Sequence, residues 1–555
     1  MKPLVLSILS LALLTSSIAK AQPTDVKYSS SFDEPENGWN KVMQLSNGNT
    51  FLFNFSKEGI EVTVYNQNRA FASKKVLQSK LWEPRKMKAS VIEGLFEIDG
   101  KPVIFLQQLL DRTPTLFRII LDPNTGAMLK EENINELQRY GAGAAYAMAF
   151  GKVEEADFRV EKDPQSDCYA IVNFNSFAEE SSNRIEIAHY NGSHKEINRA
   201  NYPSQGFKYI NLIGLTVHSD KHIIACTYGF NTAASGGKDS RVIVSKLNAG
   251  DTTFQNKQLE NTDDFKNTEA VMQYNPGTGL IQLLTLTVGK TKGRGFSAAT
   301  TTYYGTLFTT IDPETLFIIN SKPCGATYAD ATAKSAYGFP KGFRGMPQNM
   351  VINPDNSTTV LSEEMTLDML VSSQGAVSYR THLNNIGIAD YDAKGNEVSG
   401  TMVPKEQMAN GKIDPLYIYN KSKGFWSFRG AQQFGYTMGA IHNNAFLSYD
   451  YVTTPDGRYV IFNDYPENIE RKAEQKYNKL KQVVAISESN TMCYKLNNGK
   501  AEEFYLFGAP KDDGYSRFCY VESSHYNPKT KTYATLMVDR DGRKKVAKVA
   551  WVQFK

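Results

Sequence analysis

The chain has 555 residues, of which 41% are hydrophobic and 22% are charged, as in an ordinary soluble globular protein. Its formal net charge of +4 is small for this length and argues against a surface dedicated to nucleic acid. The length allows either several domains or one large repeat fold. Composition therefore favours a globular protein and excludes nucleic acid as the expected partner.

The N-terminal segment has the pattern of a secretory signal peptide over residues 1–21. Lys2 supplies the positive charge, Leu4–Leu14 forms a short apolar core, and Ala19–Ala21 is a small-residue cleavage site. The first cysteine is Cys168, so no thiol follows the cleavage site for lipid attachment. No later segment offers the roughly 20 apolar residues of an integral membrane segment. We therefore expect a soluble, exported protein of the periplasm or the extracellular space, and not a lipoprotein.

The chain contains five cysteines without the spacing of metal ligands. An odd number leaves at least one thiol free. Most are expected to be small buried residues on strands, and the sequence leaves open whether one disulfide forms.

Residues 209–259 show the repeating unit of the chain. Tyr209–Val217, His222–Tyr228, Arg241–Leu247 and Thr252–Leu259 are predicted strands in succession, separated by turns and one glycine-rich loop. One such four-stranded sheet cannot bury both of its faces alone. It needs copies of itself on either side.

The same pattern recurs eight times along the chain. In each unit a turn rich in Asn, Asp, Gly or Pro follows the first strand, and an apolar second strand comes next. Strands that are apolar throughout suit burial between two neighbouring sheets. The eight second strands are Thr50–Phe55, Pro102–Gln107, Cys168–Phe174, His222–Tyr228, Leu280–Val288, Thr358–Glu363, Arg458–Asn463 and Thr532–Val538.

The eighth unit reaches Lys555 without a fourth strand, and Val26–Phe32 supplies a spare one. This predicts an all-β fold over residues 22–555: a single eight-bladed β-propeller of four-stranded antiparallel blades, in which the N-terminal strand closes the last blade. A seven-bladed ring and two stacked propellers are the alternatives. In blade seven the third strand is predicted from Gln482 to Ile486, with an extension to Leu496.

The long insertions lie between second and third strands and between consecutive blades. In a propeller both kinds of loop emerge on one face, around the mouth of the central channel, which favours a binding or catalytic surface there. The largest insertions belong to blades five to seven. Among them, Asp464–Leu480 favours a short helix, and Gln407–Gly439 is rich in aromatic residues that either contact a ligand or plug the channel.

Polar residues at the loop-face ends of two second strands are the candidate site. Carboxylates brought together at a channel mouth can perform acid/base chemistry on a glycosidic bond, or can hydrogen-bond the loops above them. The predicted ligand contacts are Glu363, Glu364, Asn463 and Asp464, with Arg344, Arg429 and Trp426 from the overlying loops.

The motifs of nucleophilic and metal-dependent enzymes are missing. The chain has no G-x-S-x-G and no H-E-x-x-H. Asp390–Gly395 begins like a calcium loop, but Lys394 stands where an oxygen ligand belongs, and the twelfth position is Thr401 and not Glu. The sequence therefore predicts no cofactor, no metal and no catalytic residue.

Three stretches carry a resemblance to known proteins. Thr359–Met365, Ile386–Gln407 and Tyr459–Asn468 resemble a group of uncharacterised, exported β-propeller-like proteins of Bacteroidota. The resemblance covers mainly units six and seven and implies export and a β-rich fold. It supplies no catalytic residues.

These observations favour a non-catalytic function. We expect a binding or scaffold protein that uses the long-loop face for a protein, peptide or glycan ligand at the channel mouth. The alternative is a carbohydrate-active hydrolase or lyase with carboxylates at that mouth.

Overall fold

The protein is seen in a computed structural model that describes residues 24–35, 38–141, 143, 157–176, 178, 181–231, 240–259, 268–288, 304–371, 377–427, 448–496, 501–509 and 514–554. The predicted signal peptide and Arg429 lie outside these residues. The fold is all-β, with eight antiparallel sheets that follow one another along the chain.

Each sheet is one blade of a propeller, and the strands run outward in chain order. Blade one contains β2 (Trp39–Gln44), β3 (Thr50–Ser56), β4 (Gly59–Tyr65) and β5 (Phe71–Val76), and blade two contains β6 (Ser90–Ile98), β7 (Lys101–Leu110), β8 (Thr113–Leu121) and β9 (Met128–Glu136). Blade three contains β10 (Asp157–Lys162), β11 (Tyr169–Phe174), β12 (Ile185–Tyr190) and β13 (Glu196–Asn201). Blade four contains β14 (Tyr209–His218), β15 (His222–Phe230), β16 (Arg241–Asn248) and β17 (Gln255–Gln258). Blade five contains β18 (Glu269–Asn275), β19 (Leu280–Val288), β20 (Tyr304–Ile311) and β21 (Ile318–Pro323), and blade six contains β22 (Met346–Ile352), β23 (Thr358–Val371), β24 (Val377–Tyr391) and β25 (Glu397–Asn410). Blade seven contains β27 (Asp450–Thr454), β28 (Gly457–Asp464), β29 (Asn490–Leu496) and β30 (Glu502–Tyr505). Blade eight contains β31 (Tyr515–Cys519), β32 (His525–Asn527), β33 (Thr532–Asp541) and β34 (Lys544–Phe554), with β1 (Thr24–Tyr28) at its outer edge.

The burial of the strands follows from their place in the blade. β3 is buried along almost its whole length because both of its faces pack against other blades, whereas the outermost strand β5 is exposed. This explains why the second strands are apolar throughout and the fourth strands are polar. The apolar or polar character of a strand therefore reflects its position between the channel and the outer edge of the blade.

Consecutive blades share hydrophobic cores. Phe53 of blade one packs with Ile104 of blade two, and equivalent clusters join each following pair up to blades seven and eight. Leu52 of blade one also packs with Trp551 of blade eight, so the series returns to its start. The single eight-bladed ring is therefore confirmed, and the seven-bladed and stacked alternatives do not apply.

The ring is closed by the N-terminal strand. β1 pairs antiparallel with β34, from Thr24 opposite Phe554 to Tyr28 opposite Ala550. The chain stays on this edge as far as Phe32, whose backbone N–H donates to the carbonyl of Ala547 at 2.9 Å. The predicted closure is confirmed, although the strand itself lies slightly earlier than predicted.

Removing residues up to Phe32 should therefore lower the midpoint of thermal unfolding by several degrees and make the transition less cooperative. The physical reason is that β34 becomes an unpaired edge and the contacts between the chain ends are lost. Calorimetry on the truncated chain and on a chain that begins at residue 22 would measure this. Identical unfolding curves would contradict a stabilising role of β1.

Within the described residues, three α-helices interrupt the strands: α1 (Thr327–Ser335), α2 (Tyr417–Ser422) and α3 (Pro466–Ala473). α3 lies where the sequence favours a helix. The predicted third strand from Gln482 is wrong, because β29 begins only at Asn490, opposite Asp464. The preceding segment instead forms a parallel bridge between Val483 and Gln407 of blade six.

Two further sequence expectations concern the whole chain. All five cysteines are free, and four of them are buried. Within the described part of the chain, none of the helices has the length and apolar character needed to cross a membrane.

Candidate functional site

The segment after β25 enters the central channel and fills its middle. We call residues 411–427 the plug. At its start Thr381 Oγ1 donates to the carbonyl of Gly411 at 2.8 Å and accepts from the N–H of Ile413 at 2.9 Å. At its end the short strand β26 (Trp426–Ser427) pairs with β6, on the channel side of blade two. The plug thus crosses from blade six to the far side of the ring.

Ion pairs and aromatic stacking hold the plug in place. Lys421 pairs with Asp450 of blade seven, and Lys423 pairs with Glu161 of blade three. Trp426 stacks on Trp39 of blade one, with ring centroids 5.9 Å apart and an interplanar angle of 5°. The sequence leaves open whether the aromatic residues of this insertion contact a ligand or plug the channel. Because Trp426 is stacked on Trp39, it serves to plug the channel.

A glycine allows the plug to turn between α2 and β26. Gly424 has φ +68°, a left-handed conformation that L side chains rarely adopt, and a Cβ there would lie 3.0 Å from the Cβ of Leu95. The close approach to blade two therefore requires glycine.

The plug lies between two chambers of the channel. The upper chamber, of about 690 Å³, is lined on the plug by Asn420, Lys423 and Phe425. The lower chamber, of about 590 Å³, meets Ser422 and Gly424 of the plug. The lower chamber is bordered by the short turns after first strands, so the upper chamber belongs to the long-loop face.

In the part of the chain that the structure describes, three carboxyl groups from three blades line the upper chamber: Glu93 on β6, Asp157 on β10 and Glu269 on β18. Glu93 is only 4% exposed, and its Oε1 has no hydrogen-bond partner among the described residues. Burial and the charge of Asp157, partly offset by Arg159, hold the pKa of Glu93 well above its usual range. One oxygen of this buried carboxyl is thus left without a hydrogen bond among the described residues, which is typical of a functional group.

Glu269 is exposed to the chamber, yet the surrounding walls reduce its contact with bulk water. Burial and the charge of Asp414, opposed by Lys412, raise the pKa of Glu269 to about 7. Lys412 and Asp414 pair with each other at 2.7 Å, between Nζ and Oδ1. Glu269 therefore changes its charge near neutral pH.

Among the described residues, the cations that line the upper chamber are Arg159 and Lys423, and both are close to Glu161. Lys423 pairs directly with that carboxylate, and Nη2 of Arg159 lies 3.9 Å from its Oε2. Nζ of Lys423 also lies 4.1 Å from the centre of the Tyr419 ring. Burial lowers the pKa of Lys423 to about 8, although Glu161 opposes this.

The predicted site residue Glu363 lies in a buried network between blades six and seven. Its Oε1 is 2.6 Å from Nζ of Lys405, and both side chains are fully buried. Lys405 Nζ also donates to the carbonyl of Leu383 at 2.6 Å and to Oε1 of Gln407 at 3.0 Å. Burial lowers the pKa of Lys405, and Glu363 opposes the shift. Glu363 thus joins the second and fourth strands of its blade.

Asn463 is buried against blade eight. Its side-chain amide donates to the carbonyl of Cys519 at 2.8 Å, and its Oδ1 accepts from Thr491 Oγ1 at 2.7 Å. Its backbone carbonyl accepts from Nε2 of Gln407 at 3.0 Å. Asn463 therefore connects three neighbouring blades.

Asp464 anchors helix α3. Its Oδ2 is 2.5 Å from Nζ of Lys472, and its Oδ1 accepts from Asn468 at 2.7 Å and from the backbone N–H of Tyr465 at 2.8 Å. Lys472 also donates to Tyr494 Oη at 2.8 Å. Both charged side chains are almost completely buried. This arrangement supports the loop above the strand end.

Glu364 and Arg344 form a separate pair. The backbone N–H of Arg344 donates to Oε1 of Glu364 at 2.9 Å, and Asn385 donates to Oε2 at 2.8 Å. Burial raises the pKa of Glu364. Of the six predicted residues that the structure describes, none lines the upper chamber. Their function in ligand binding stays a prediction.

Sequence reasoning did not identify Glu93, Asp157 and Glu269, because they stand on three different first strands. Glu93 interrupts the apolar segment SVIEGLF of the first strand β6, and that interruption is the signal that could have found it. Asp157 and Glu269 are the exposed first residues of β10 and β18, and no such pattern distinguishes them. The three residues form one group only because the ring brings first strands together.

No protein-family model and no curated protein matches the chain. Solved structures with a similar fold include the polysaccharide lyase Uly1, with 9% identity, coverage of 83% of this chain and 90% of that one, and a TM-score of 0.34. Another is the quinohemoprotein alcohol dehydrogenase from Comamonas testosteroni, with 10% identity, coverage of 95% and 76%, and a TM-score of 0.37. A third is the endo-1,5-alpha-L-arabinanase from Thermotoga petrophila, with 10% identity, coverage of 67% and 97%, and a TM-score of 0.24. Such low values carry no argument about chemistry.

Proposed function

We propose that the protein binds oligosaccharides, and that the upper chamber holds the end of the sugar chain. The convergence of Glu93, Asp157 and Glu269 on one cavity carries this proposal. Carboxylates accept hydrogen bonds from sugar hydroxyls, and the amide of Asn420 can donate and accept them. Phe425 is 39% exposed and offers an apolar ring face against a pyranose. A peptide is the competing ligand class.

The plug supports recognition of a chain end. Because residues 411–427 lie between the two chambers, a polymer cannot pass through the channel from one face to the other. A ligand would enter from the long-loop face and stop against the plug. The floor formed by Asn420, Lys423 and Phe425 would then contact the terminal sugar.

The residues predicted from the sequence take three different functions in this proposal. Arg344 and Glu364 are the candidates for outer contacts with a longer ligand, together with Arg429, which lies outside the described residues. Glu363, Asn463 and Asp464 support the loops, as their buried hydrogen bonds favour. Trp426 fixes the plug.

Export is part of the same proposal. The signal-peptide pattern of residues 1–21 supports secretion, and an exported protein meets polysaccharides outside the cytoplasm. The periplasm and the extracellular space both fit this function.

Replacing Asp157 by alanine should weaken oligosaccharide binding about tenfold or more, because a hydrogen bond to a charged group contributes about 1.5–3 kcal/mol. Isothermal titration against a panel of oligosaccharides would identify the ligand and measure the loss. Asp167→Ala is the matched control, since Asp167 is on the same blade but lines the lower chamber. Equal effects of both substitutions, or binding of peptides alone, would refute the proposal.

Glycoside hydrolysis is the second candidate function, favoured by the raised pKa of Glu93 beside the charge of Asp157. A protonated carboxyl next to an ionised one is the pattern of a general acid and its partner. Glu93→Gln should then abolish product release from whichever polysaccharide the protein cleaves. The variant should still bind that polysaccharide. Glu97→Gln, on the same strand but at the lower chamber, should keep both. If no polysaccharide of the panel releases product, glycoside hydrolysis is excluded and the proposed binding function is unaffected.

A further inference from the structure

We propose that the lower chamber is a second ligand site, which binds a small sugar acid through its carboxylate. The plug separates this cavity from the upper chamber, so the site is independent of the oligosaccharide proposed there. Its volume of about 590 Å³ is within the range of roughly 300–1,000 Å³ for small-molecule sites. Short turns of blades one, two, three and eight border it, and these turns lie within the described residues.

Ammonium groups outnumber carboxylates in the lining of the lower chamber. Among the described residues, three lysines line it, Lys41, Lys162 and Lys529, against the two acidic residues Glu97 and Asp167. Lys162 belongs with Asp167, since its Nζ is 3.5 Å from Oδ1 of that carboxylate. In the part of the chain that the structure describes, neither Lys41 nor Lys529 has a carboxylate oxygen within 4.0 Å. The lining therefore has an excess of one positive charge, which one carboxylate of a ligand would balance.

The two acidic residues already have hydrogen-bond donors of their own. Glu97 accepts from the backbone N–H of Ser46 at 2.9 Å and also from the Ser46 hydroxyl. Oδ2 of Asp167 accepts from the backbone N–H of Asp99 at 3.0 Å. Both carboxylates are thus held at the short turns and away from the two unpaired lysines.

Lys41 is the buried cation of the site. Its side chain is only 6% exposed, and Nζ donates to the carbonyls of Glu522 at 3.1 Å and of Ser524 at 2.9 Å. An ammonium has three N–H donors, so one is left for a ligand. Burial and the charge of Lys421 lower the pKa of Lys41 to about 8, although Asp450 and Glu522 oppose the shift.

The two neighbouring carboxyl groups do not neutralise Lys41. Asp450 pairs with Lys421 and accepts a hydrogen bond from Tyr533 at 2.6 Å. Burial raises the pKa of Glu522, although Lys421 and Lys41 oppose this, so its negative charge is itself disfavoured. An anion from outside the chain would supply the missing partner.

His525 adds a neutral donor to the same cavity. The backbone N–H of Gln44 donates to its Nδ1 at 3.2 Å. Burial and the charge of Lys41, opposed by Asp450, lower the pKa of His525 to about 4, so the ring is neutral and carries its hydrogen on Nε2. That N–H has no acceptor among the residues of the described ranges. Lys41, His525 and Lys529 thus offer donors from blades one and eight, and a carboxylate has two oxygens to accept them.

The rest of the lining suits a hydroxylated body for the ligand. Gln165 and Ser166 on the turn of blade three and Ser422 on the plug line the chamber with polar side chains. Such groups exchange hydrogen bonds with sugar hydroxyls but not with an alkyl chain. A uronic acid combines this body with a single carboxylate.

The test compares two ligands that differ only in charge. Glucuronate and its neutral amide, glucuronamide, are titrated calorimetrically into the chain from residue 22, at about pH 7 and low salt. We expect binding of glucuronate about tenfold tighter or more, because a hydrogen bond to a charged group is stronger than one to a neutral group. Equal affinities, or no binding of glucuronate, overturn the inference. Inorganic phosphate or hexanoate that binds as tightly as glucuronate overturns the assignment to a sugar acid.

Proton uptake is a second measurement on the same complex. Near pH 8 about half of Lys41 is charged, and a bound carboxylate stabilises the ammonium and so raises its pKa. Binding should therefore take up protons at that pH, which two buffers of different ionisation enthalpy detect. Lys41→Met should lose this uptake together with about tenfold or more of the affinity.

A variant on the surface decides the matter if Lys41→Met does not fold. Lys529→Gln should weaken glucuronate binding about threefold, whereas Lys531→Gln, two residues further on the same turn but outside the lining, should not. Equal effects of these two substitutions would indicate general surface charge and overturn the site. Asp157→Ala should leave glucuronate binding unchanged, since Asp157 lines the upper chamber. Loss of glucuronate binding in that variant alone would overturn the lower site, and failure of the oligosaccharide proposal would not affect it.

Discussion

Replacing Asp464 by alanine is expected to lower the free energy of unfolding by about 3–5 kcal/mol, the range for breaking a buried ion pair. The substitution leaves the ammonium of Lys472 buried, with the hydroxyl of Tyr494 as its remaining hydrogen-bond partner in the network around Asp464. It also removes the acceptor for Asn468, which links helix α3 to its strand. Urea denaturation followed by circular dichroism would measure the loss.

The same helix offers a matched control. Glu467 pairs with Lys481 at 2.7 Å, but both side chains are about half exposed, and such pairs contribute roughly 0–1 kcal/mol. Glu467→Ala should therefore have little effect. The double variant Asp464→Leu with Lys472→Met should recover much of the stability, because no charge remains buried. If Asp464→Ala weakens ligand binding without any loss of stability, its function is ligand contact and not loop support.

Trp426→Ala should destabilise the protein by about 3–5 kcal/mol, as expected for truncation of a large buried aromatic residue. The substitution removes the stacking on Trp39 and leaves a cavity where the plug meets blades one and two. Loosening of the plug should also make residues 411–427 susceptible to proteolysis. Thermal unfolding and limited proteolysis with mass spectrometry would measure both effects.

Phe425 is the control for this variant, since it is adjacent in sequence but exposed to the upper chamber. Phe425→Ala should change stability by less than about 1 kcal/mol and should instead weaken oligosaccharide binding. Loss of ligand binding in both variants with unchanged stability in both would contradict the anchoring function of Trp426.

The fold could be predicted because its signals are local. In blade five Asn275 ends the first strand, and its side-chain Oδ1 accepts from the N–H of Gly277 at 3.0 Å, which forms the turn within a few residues. In blade two Asp122 Oδ1 accepts from Thr125 N–H at 2.7 Å in the same way. Such turns, repeated between apolar strands, determine the blades without information from elsewhere in the chain.

The chamber could not be predicted in this way. Glu93 and Glu269 are far apart in sequence and approach the same cavity only because the ring places their strands around one axis. Conversely, Glu363 and Asp464 stand out in sequence, but their lysine partners Lys405 and Lys472 come from other elements of the fold. Glu363 moreover lies inside β23 and not at its end, contrary to the prediction. The function of such a carboxylate is therefore ambiguous until its neighbours are known.

The pairing of β1 with β34 has a consequence for the order of folding. The two strands stand at opposite ends of the chain, so their contact has nearly the largest sequence separation that the chain allows. Contacts of this kind form late and slowly, since much conformational entropy is lost before they contribute. The four main strands of each blade are neighbours in the chain, whereas β1, although it is made first, cannot pair until β34 has been made. The growing chain therefore carries an open edge on its last sheet until the ends meet, and that interval is when the molecule is most exposed to pairing with another copy.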